Sequence, residues 1–277
     1  MSTPIIELEN ITYQYPDGTD AINNISLSIE QGKKIALLGN NGAGKSTLFL
    51  HFNGILQPTS GSICFQGETL RYKRKEIKRL RQQVGIVYQD SDSQLFSSSV
   101  YQDIKYGPKN MGLSESEVEL AVDKAMVLTE TTALKEKPPH FLSIGQKKRV
   151  AIAGIVAMEP KLMVLDEPTA GLDPYYAKKI MNVLHDIQTE NKTMIVSTHD
   201  VNLAYEWADE IIVMNEGRII AQDKPDQVFR DDAILQKSHL EKPWIIDVFE
   251  QLRVKDGFNS CTIPKTKNEI MKLLAKI

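Results

Sequence analysis

The nine residues Gly39-Asn40-Asn41-Gly42-Ala43-Gly44-Lys45-Ser46-Thr47 constrain this chain more than any other stretch. They fit the pattern G-x-x-x-x-G-K-[ST]. Residues 34–38 before them form a short apolar run that reads as a buried strand, and residues 48–56 after them read as a helix. That strand–loop–helix setting is what a phosphate cradle requires. Glycines let the backbone curl closely and point several N–H groups inward. The positive end of the helix dipole adds to them. Lys45 has the reach for the β- and γ-phosphates of a nucleotide, and the Ser46 hydroxyl can ligate Mg²⁺. The pattern says nucleotide. It does not choose among kinases, GTPases, transporters and DNA machines.

The length of 277 residues suits one large domain, or a core domain with an appendage. With 42% hydrophobic and 25% charged residues the chain reads as globular. The formal net charge of −3 argues against a broad basic footprint, so no nucleic-acid partner is expected. No apolar run approaches the roughly 18 residues that span a bilayer. The first residues lack the basic and apolar regions of a signal peptide. Cys64 and Cys261 lie far apart and form no ligand cluster, so both read as reduced packing thiols in a cytoplasmic setting.

Residues 5–13 alternate roughly as a strand, Tyr15-Pro16-Asp17-Gly18 reads as a turn, and residues 25–29 alternate cleanly. An antiparallel β region therefore precedes the phosphate loop. Residues 62–66 return as a strand. The basic run Arg71, Lys73, Arg74, Lys75, Lys78, Arg79 and Arg81 tempts a nucleic-acid reading. Glu76 interrupts it, no aromatic platform is interleaved, and Ile77 and Leu80 supply a buried edge, so a solvated helix face is expected. Residues 84–88 read as a buried strand ending at Gln89. Residues 100–142 turn helical, with a capping box at Ser114 and Glu117. Val118, Ala121, Val122, Ala125 and Met126 recur as one amphipathic face. Residues 147–158 read as a helix, 161–165 as a buried strand ending in Asp166-Glu167, and 193–197 as a strand ending near His199. Asp173 caps a helix with Pro174 in its first turn. Residues 210–214 and 218–221 form a hairpin. From Asp223 onward Pro225 and Pro243 punctuate short helices with stripes at Ile245, Val248, Phe249, Leu252 and at Ile270, Met271, Leu274. That tail reads as an appendage. His51, His140, His185 and His239 have no evident partners and read as packing or solvent.

A guanine reader Asn-Lys-x-Asp fails at Met194, and no arginine-rich kinase lid stands out. The motif order instead resembles the ABC ATPase family along residues 5 to 222. The resemblance implies an α/β fold of the P-loop NTPase (RecA-like) type. Its parts are a core sheet, an antiparallel β region, an inserted α-helical subdomain and a short C-terminal helical extension. Boundaries follow: an ATPase domain at 1–222, with nucleotide core 1–90 and 155–222 and helical subdomain at about 91–154, then an extension at 223–277. By the same resemblance Tyr15 looks like the aromatic that stacks on adenine, with Tyr13 as the alternative. Gly39 to Thr47 is the Walker A loop. Gln89 looks like the Q-loop glutamine, a sensor of Mg²⁺ and the attacking water. Leu142-Ser143-Ile144-Gly145-Gln146 looks like the signature sequence, with Ser143 and Gly145 as its phosphate contacts. Asp166 resembles the Walker B aspartate that holds Mg²⁺ with Ser46. Glu167 resembles the catalytic glutamate, Ala170 to Asp173 the D-loop and His199 the switch histidine. Each role suits its chemistry. A strand-end carboxylate pair can divide metal and water duties, an amide can orient water, and an imidazole can sense a γ-phosphate. One departure is Ile144, where the family carries glycine; a β-branched residue narrows the backbone there.

The segment from Tyr88 to Phe96 and the run from Gln146 to Gly154 resemble the energy-coupling-factor ATPases, including the cobalt-type ones. That branch implies an ATP-hydrolysing subunit of a membrane importer for a transition-metal ion (cobalt or nickel) or a vitamin. It implies ATP and Mg²⁺ as cofactors and peripheral attachment at the cytoplasmic face of the membrane. Expected partners are a second ATPase subunit, identical or a sister, a transmembrane coupling protein that docks beside the Q-loop, and a substrate-binding membrane subunit. Another ABC importer is the nearest alternative. A DNA-associated ABC ATPase is disfavoured, because only about a hundred residues separate the P-loop from the signature, without sustained heptads.

Overall fold

The computed structural model describes residues 4–188, 192–253 and 263–275. Strands β1 (Pro4–Gln14) and β2 (Asp20–Glu30) pair antiparallel through a turn in which Gly18 N–H donates to the Tyr15 carbonyl at 2.9 Å. Strand β3 (Lys34–Leu38) leads through the glycine-rich loop into helix α1 (Lys45–Phe52). Helix α1 starts earlier and stops sooner than its apolar run suggests. Its start is Gly44 in the left-handed region, and its end lies just ahead of Gly54, also at positive φ. Strands β4 (Ser60–Phe65) and β5 (Glu68–Thr69) complete an antiparallel sheet of order β2-β1-β4-β5.

Helix α2 (Arg74–Gln83) carries the basic run and buries only Leu80, as a solvated face should. Its Arg81 donates to the carbonyls of Asn53 and Gly54, clipping the helix beneath α1. After strand β6 (Val84–Val87) come helices α3 (Val100–Met111), α4 (Glu115–Leu128) and α5 (Ile144–Val156). The capping box at Ser114 and Glu117 opens α4, and Val118, Val122, Ala125 and Met126 are its buried face. The chain then returns as β7 (Leu162–Leu165), parallel to β6. The whole helical block is thus the crossover between two neighbouring strands.

Helix α6 (Pro174–Ile187), β8 (Thr193–Ser197), helix α7 (Val201–Trp207), β9 (Glu210–Asn215) and β10 (Arg218–Asp223) follow. The second sheet has six strands in the order β10-β9-β3-β8-β7-β6. All its pairs are parallel except the β9–β10 hairpin. Every residue of β6, β7 and β8 is buried, the pattern of strands covered on both faces. The carboxyl ends of β3, β6, β7 and β8 share one edge. In open α/β sheets that edge is where ligands bind.

Helices α8 (Pro225–Val228), α9 (Asp232–Ser238), α10 (Trp244–Arg253) and α11 (Lys267–Leu274) make up the C-terminal segment. The appendage expectation needs revision in packing terms. Phe229, Ile246, Phe249 and Ile270 are buried in one cluster with Leu184 and Val213 beneath the parallel sheet. Tyr205 donates to the Pro264 carbonyl at 3.2 Å, and Lys265 donates to the Ala208 carbonyl at 2.5 Å. The last expected stripe also splits: Ile270 is 1% exposed, whereas Met271 is 55% exposed and Leu274 is 36% exposed. Adjacent helical residues point about 100° apart, so Met271 cannot share the face of Ile270.

Candidate nucleotide site

Two carbonyls shape the glycine loop. A Cβ at Gly39 (φ 151°) would lie 2.3 Å from the Met214 carbonyl oxygen, and one at Gly44 (φ 99°) would lie 2.5 Å from that of Ala21. Strands β9 and β2 therefore press on the loop from both sides, and only glycine admits them. Ala43 N–H donates to the Asn40 carbonyl, and Gly217 N–H donates to Ala43. Asn41 and Gly42 stay exposed at the crest. Lys45 is 6% exposed, and its ammonium donates to the carbonyls of Gly39 at 2.7 Å and Asn40 at 3.1 Å. Burial lowers its pKa from the ordinary lysine value, while the fields of Glu167 and Asp166 push it back up.

Ser46 donates to one Asp166 carboxylate oxygen at 2.6 Å, and Ser197 donates to the other at 2.6 Å. The same Ser197 hydroxyl accepts from the Glu167 N–H at 2.9 Å. Glu167 has φ 45°, a left-handed backbone that a non-glycine residue adopts only when its surroundings hold it there. Its carboxylate accepts from Gln89 Nε2 at 3.2 Å and lies 2.5 Å from His199 Nε2. Gln89, Glu167 and His199 thus meet beyond the ends of β6, β7 and β8, three adjacent strands. Gln89 contacts Glu167 rather than Ser46 or Asp166.

Tyr15 donates to or accepts from the Thr47 hydroxyl at 3.0 Å, which fixes it beside the end of the phosphate loop. Tyr13 packs edge-on between Tyr15 and His51. His51, for which the sequence named no partner, is fully buried, and its Nδ1 lies 2.7 Å from the Thr47 carbonyl. Of the two cysteines, Cys64 is free and sits 3.4 Å from Thr69 Oγ1, while Cys261 lies outside the described residues.

Ser143 and Gly145 lie at the amino end of α5. Ser143 Oγ accepts from Gln146 N–H, and Gln146 Oε1 accepts from Ser143 N–H, a complete capping box. Among the described residues no hydrogen bond joins Ser143 or Gly145 to the Gly39–Thr47 loop. Ile144 is 59% exposed beside them. Asp173 caps α6 by accepting from Tyr176 N–H at 3.0 Å.

Gln94, which the resemblance assigns to the characteristic loop, spans the stretch after Gln89, accepting from Tyr88 N–H and donating to the Ile86 carbonyl. Two groups escape the sequence reading. Ser197 ties Asp166 to Glu167, yet in sequence it is only the polar last residue of a strand. Lys148, on α5, is 4% exposed and donates to the carbonyls of both Gln89 and Glu167, at 3.2 and 3.1 Å. A second basic side chain of that turn, Lys147, pairs with Asp92 at 2.6 Å.

The family model described as "ABC transporter" matches residues 22–170. The chain is 52% identical over 250 residues to the energy-coupling factor transporter ATP-binding protein EcfA of Methanosphaera stadtmanae, covering 90% of each chain. It is 49% identical over 259 residues to EcfA3 of Clostridium perfringens, covering 93% of this chain and 91% of the relative. Among solved structures it resembles cbiO1 of Clostridium perfringens, described as part of the ABC transporter complex cbiONQ, with TM-score 0.78, 42% identity and full coverage of both chains. It also resembles the ATP-binding cassette MJ0796 in a dimeric post-hydrolysis state bound to ADP and Pi, with TM-score 0.73 and 26% identity over 79% of this chain and 98% of that one. With its phosphate loop, strand-end carboxylates and near-complete coverage of these relatives, the chain belongs to the ABC transporter family, as an ATP-binding subunit of the energy-coupling-factor type whose cassette is an ATPase.

Proposed function

We propose that this subunit hydrolyses ATP held between its own Gly39–Thr47 loop and the Ser143–Gly145 turn of a second ATPase subunit, and that the cycle drives a membrane importer. The observation that carries the reading is the meeting of Gln89, His199 and Glu167 beside the loop that holds Lys45. Backbone N–H groups of residues 40–47 bind the phosphates, and Lys45 neutralises their charge. Glu167 accepts a proton from a water whose oxygen attacks the γ-phosphorus, and the bridging oxygen leaves with ADP. Gln89 orients that water, and His199 donates toward the γ-phosphate. Tyr15 stacks on adenine.

Mg²⁺ fits the residues present. Ser46 and Asp166 bring a hydroxyl and a carboxylate together at 2.6 Å, the hard oxygen donors this ion takes, whereas Gln89, the third expected ligand, donates to Glu167 at 3.2 Å. The ion would supply charge neutralisation on the phosphate oxygens.

Among the described residues no helix is long and apolar enough to cross a membrane. Peripheral attachment through partner subunits on the cytoplasmic face suits that observation. An apolar hollow lined by Leu95, Phe96, Tyr106, Val150, Gly154 and Met158 lies beside the loop after Gln89. Phe96 and Tyr106 stand exposed at its rim, edge to face with centroids 4.9 Å apart. It offers the transmembrane coupling protein a seat. The likeness to cbiO1 and to the EcfA proteins favours a transition-metal ion, cobalt or nickel, or a vitamin as cargo, captured by a separate membrane subunit.

Glu167→Gln tests the chemistry. Turnover falls by about 10²–10⁴-fold, the usual worth of a positioned base, while ATP still binds and traps a paired form visible by size-exclusion chromatography. Turnover at the normal rate in that variant removes Glu167 from its role.

A further inference from the structure

We propose that Lys148 is a positioning residue that couples the signature helix to the groups handling the attacking water. The proposal rests on the roles given above to Gln89 and Glu167.

The geometry around Glu167 is the starting point. A side chain's direction follows from its own φ and ψ, and those follow from the peptide planes on either side. The plane before Glu167 is fixed by its N–H, which donates to Ser197 Oγ at 2.9 Å. The plane after it is fixed by its carbonyl, which accepts from Lys148 at 3.1 Å. With both pinned, the left-handed backbone at φ 45° persists and the carboxylate is aimed at Gln89 and His199. Lys148 also holds the Gln89 carbonyl at 3.2 Å. One ammonium thus grips the backbone of both residues whose side chains meet 3.2 Å apart.

The chemistry of the grip argues against mere packing. Lys148 is 4% exposed, and among the described residues no carboxylate lies within ion-pair distance of it. Burial lowers the pKa of Lys148 while the fields of Glu167, Asp166 and Asp90 push it back up, so part of the cost of burying the cation remains, and an apolar side chain of similar length would fill the space without that cost. The flanking residues show a division of labour. Lys147 reaches Asp92 beyond the Q-loop glutamine, and Arg149 donates to the carbonyls of Thr129 and Glu130 at the end of α4. Consecutive cations on α5 therefore fasten one helix to the loop after Gln89, to the strand end at Glu167 and to its own helical block. Ser143, the cap of that helix, lies five residues before Lys148, about 7 Å along a rigid rod. A shift of the cap when it meets a phosphate is passed to the carbonyls of Gln89 and Glu167. The arm that senses the partner's nucleotide is tied by this route to the groups that attack the chain's own.

The test is steady-state ATPase kinetics and thermal melting of the full chain carrying Lys148→Met, Lys148→Gln or Lys148→Arg, with Glu167→Gln alongside. Lys148→Met is expected to lower kcat by about 10- to 100-fold, the cost of misplacing a reacting group by about an ångström. KM for ATP should stay within about threefold, because no phosphate-binding group is touched, and Tm should not fall. Lys148→Gln, with a shorter donor, and Lys148→Arg, with donors kept, should recover part of kcat in that order. Normal kcat in Lys148→Met overturns the proposal. So does a loss of kcat that simply follows a loss of Tm, with no recovery in Lys148→Arg. If Lys148→Met does not fold, the comparison of Gln with Arg decides: equal kcat in the two overturns it. Full activity in Glu167→Gln overturns the site reading beneath the proposal and the proposal with it. An inactive Glu167→Gln beside a fully active Lys148→Met sinks the proposal alone.

Discussion

The Gly39–Thr47 loop and the Ser143–Gly145 turn both present backbone N–H groups at a helix start, yet this protomer builds them in opposite ways. At Gly39 the space of a side chain is filled by the Met214 carbonyl, 2.3 Å from where a Cβ would sit. At Gly145 the nearest atom to such a Cβ is a Leu172 methyl at 3.5 Å, ordinary van der Waals contact. Around the first loop the neighbours are the chain's own strands. Around the second stand Ile144, Phe141 and Tyr176, all exposed. The first glycine is required by this fold. The second is tolerant within this fold, so any strict need for it arises from what approaches the turn from outside. The two halves of the proposed ATP sandwich differ in this way: one is finished within the subunit, the other awaits a surface.

Alanine at each glycine separates the two cases most widely. Gly39→Ala should destabilise the chain by about 3 kcal/mol or more, since a backbone clash and an unfavourable φ coincide, and a thermal melt reads it directly. Gly145→Ala should stay within about 1 kcal/mol of the parent in the same melt while losing ATP-driven pairing. Equal destabilisation of the two variants would break the comparison. Next in size, Tyr15→Ala should raise KM for ATP by about tenfold, the worth of one base–aromatic stack, with Tyr15→Phe close to the parent; an unchanged KM would shift the role to Tyr13. The smallest effect belongs to Ile144→Gly. Ile144 is exposed at the first turn of α5, so the stability change should be about 0.5 kcal/mol. Any change in turnover should then track the strength of pairing, measured as the ATP concentration needed to form the paired species.

Much of this arrangement is legible in the residues themselves. The buried parallel strands announce themselves as apolar runs, each leading directly into the residues that form the site: Gly39, Gln89, Asp166 with Glu167, and the stretch to His199. The capping box at Ser114 marks a helix start because its hydrogen bonds are local, whereas the box at Ser143 starts α5 three residues ahead of the expected Lys147. What stays hidden is set by tertiary packing. Lys148 sits in a run of cations to which the residues alone assign no contact, and only the approach of α5 to the ends of β6 and β7 buries it. Arg71 to Arg81 has the same texture, and there the solvated reading is right, since α2 buries Leu80 alone. Composition does not distinguish the two helices; their neighbours do. Ser197 and His51 are hidden for a related reason, as a single polar residue in an apolar run carries no sign of the partner it meets across the fold.

Prolines and short helices give the residues after Asp223 the look of an add-on, but Phe229, Ile246 and Phe249 close over the underside of the parallel sheet beside Leu184 and Val213. Shortening the gene at that point would not trim a trailing regulator from a self-sufficient motor. It would open the floor of the molecule to solvent, and the cassette left behind would be expected in the insoluble fraction.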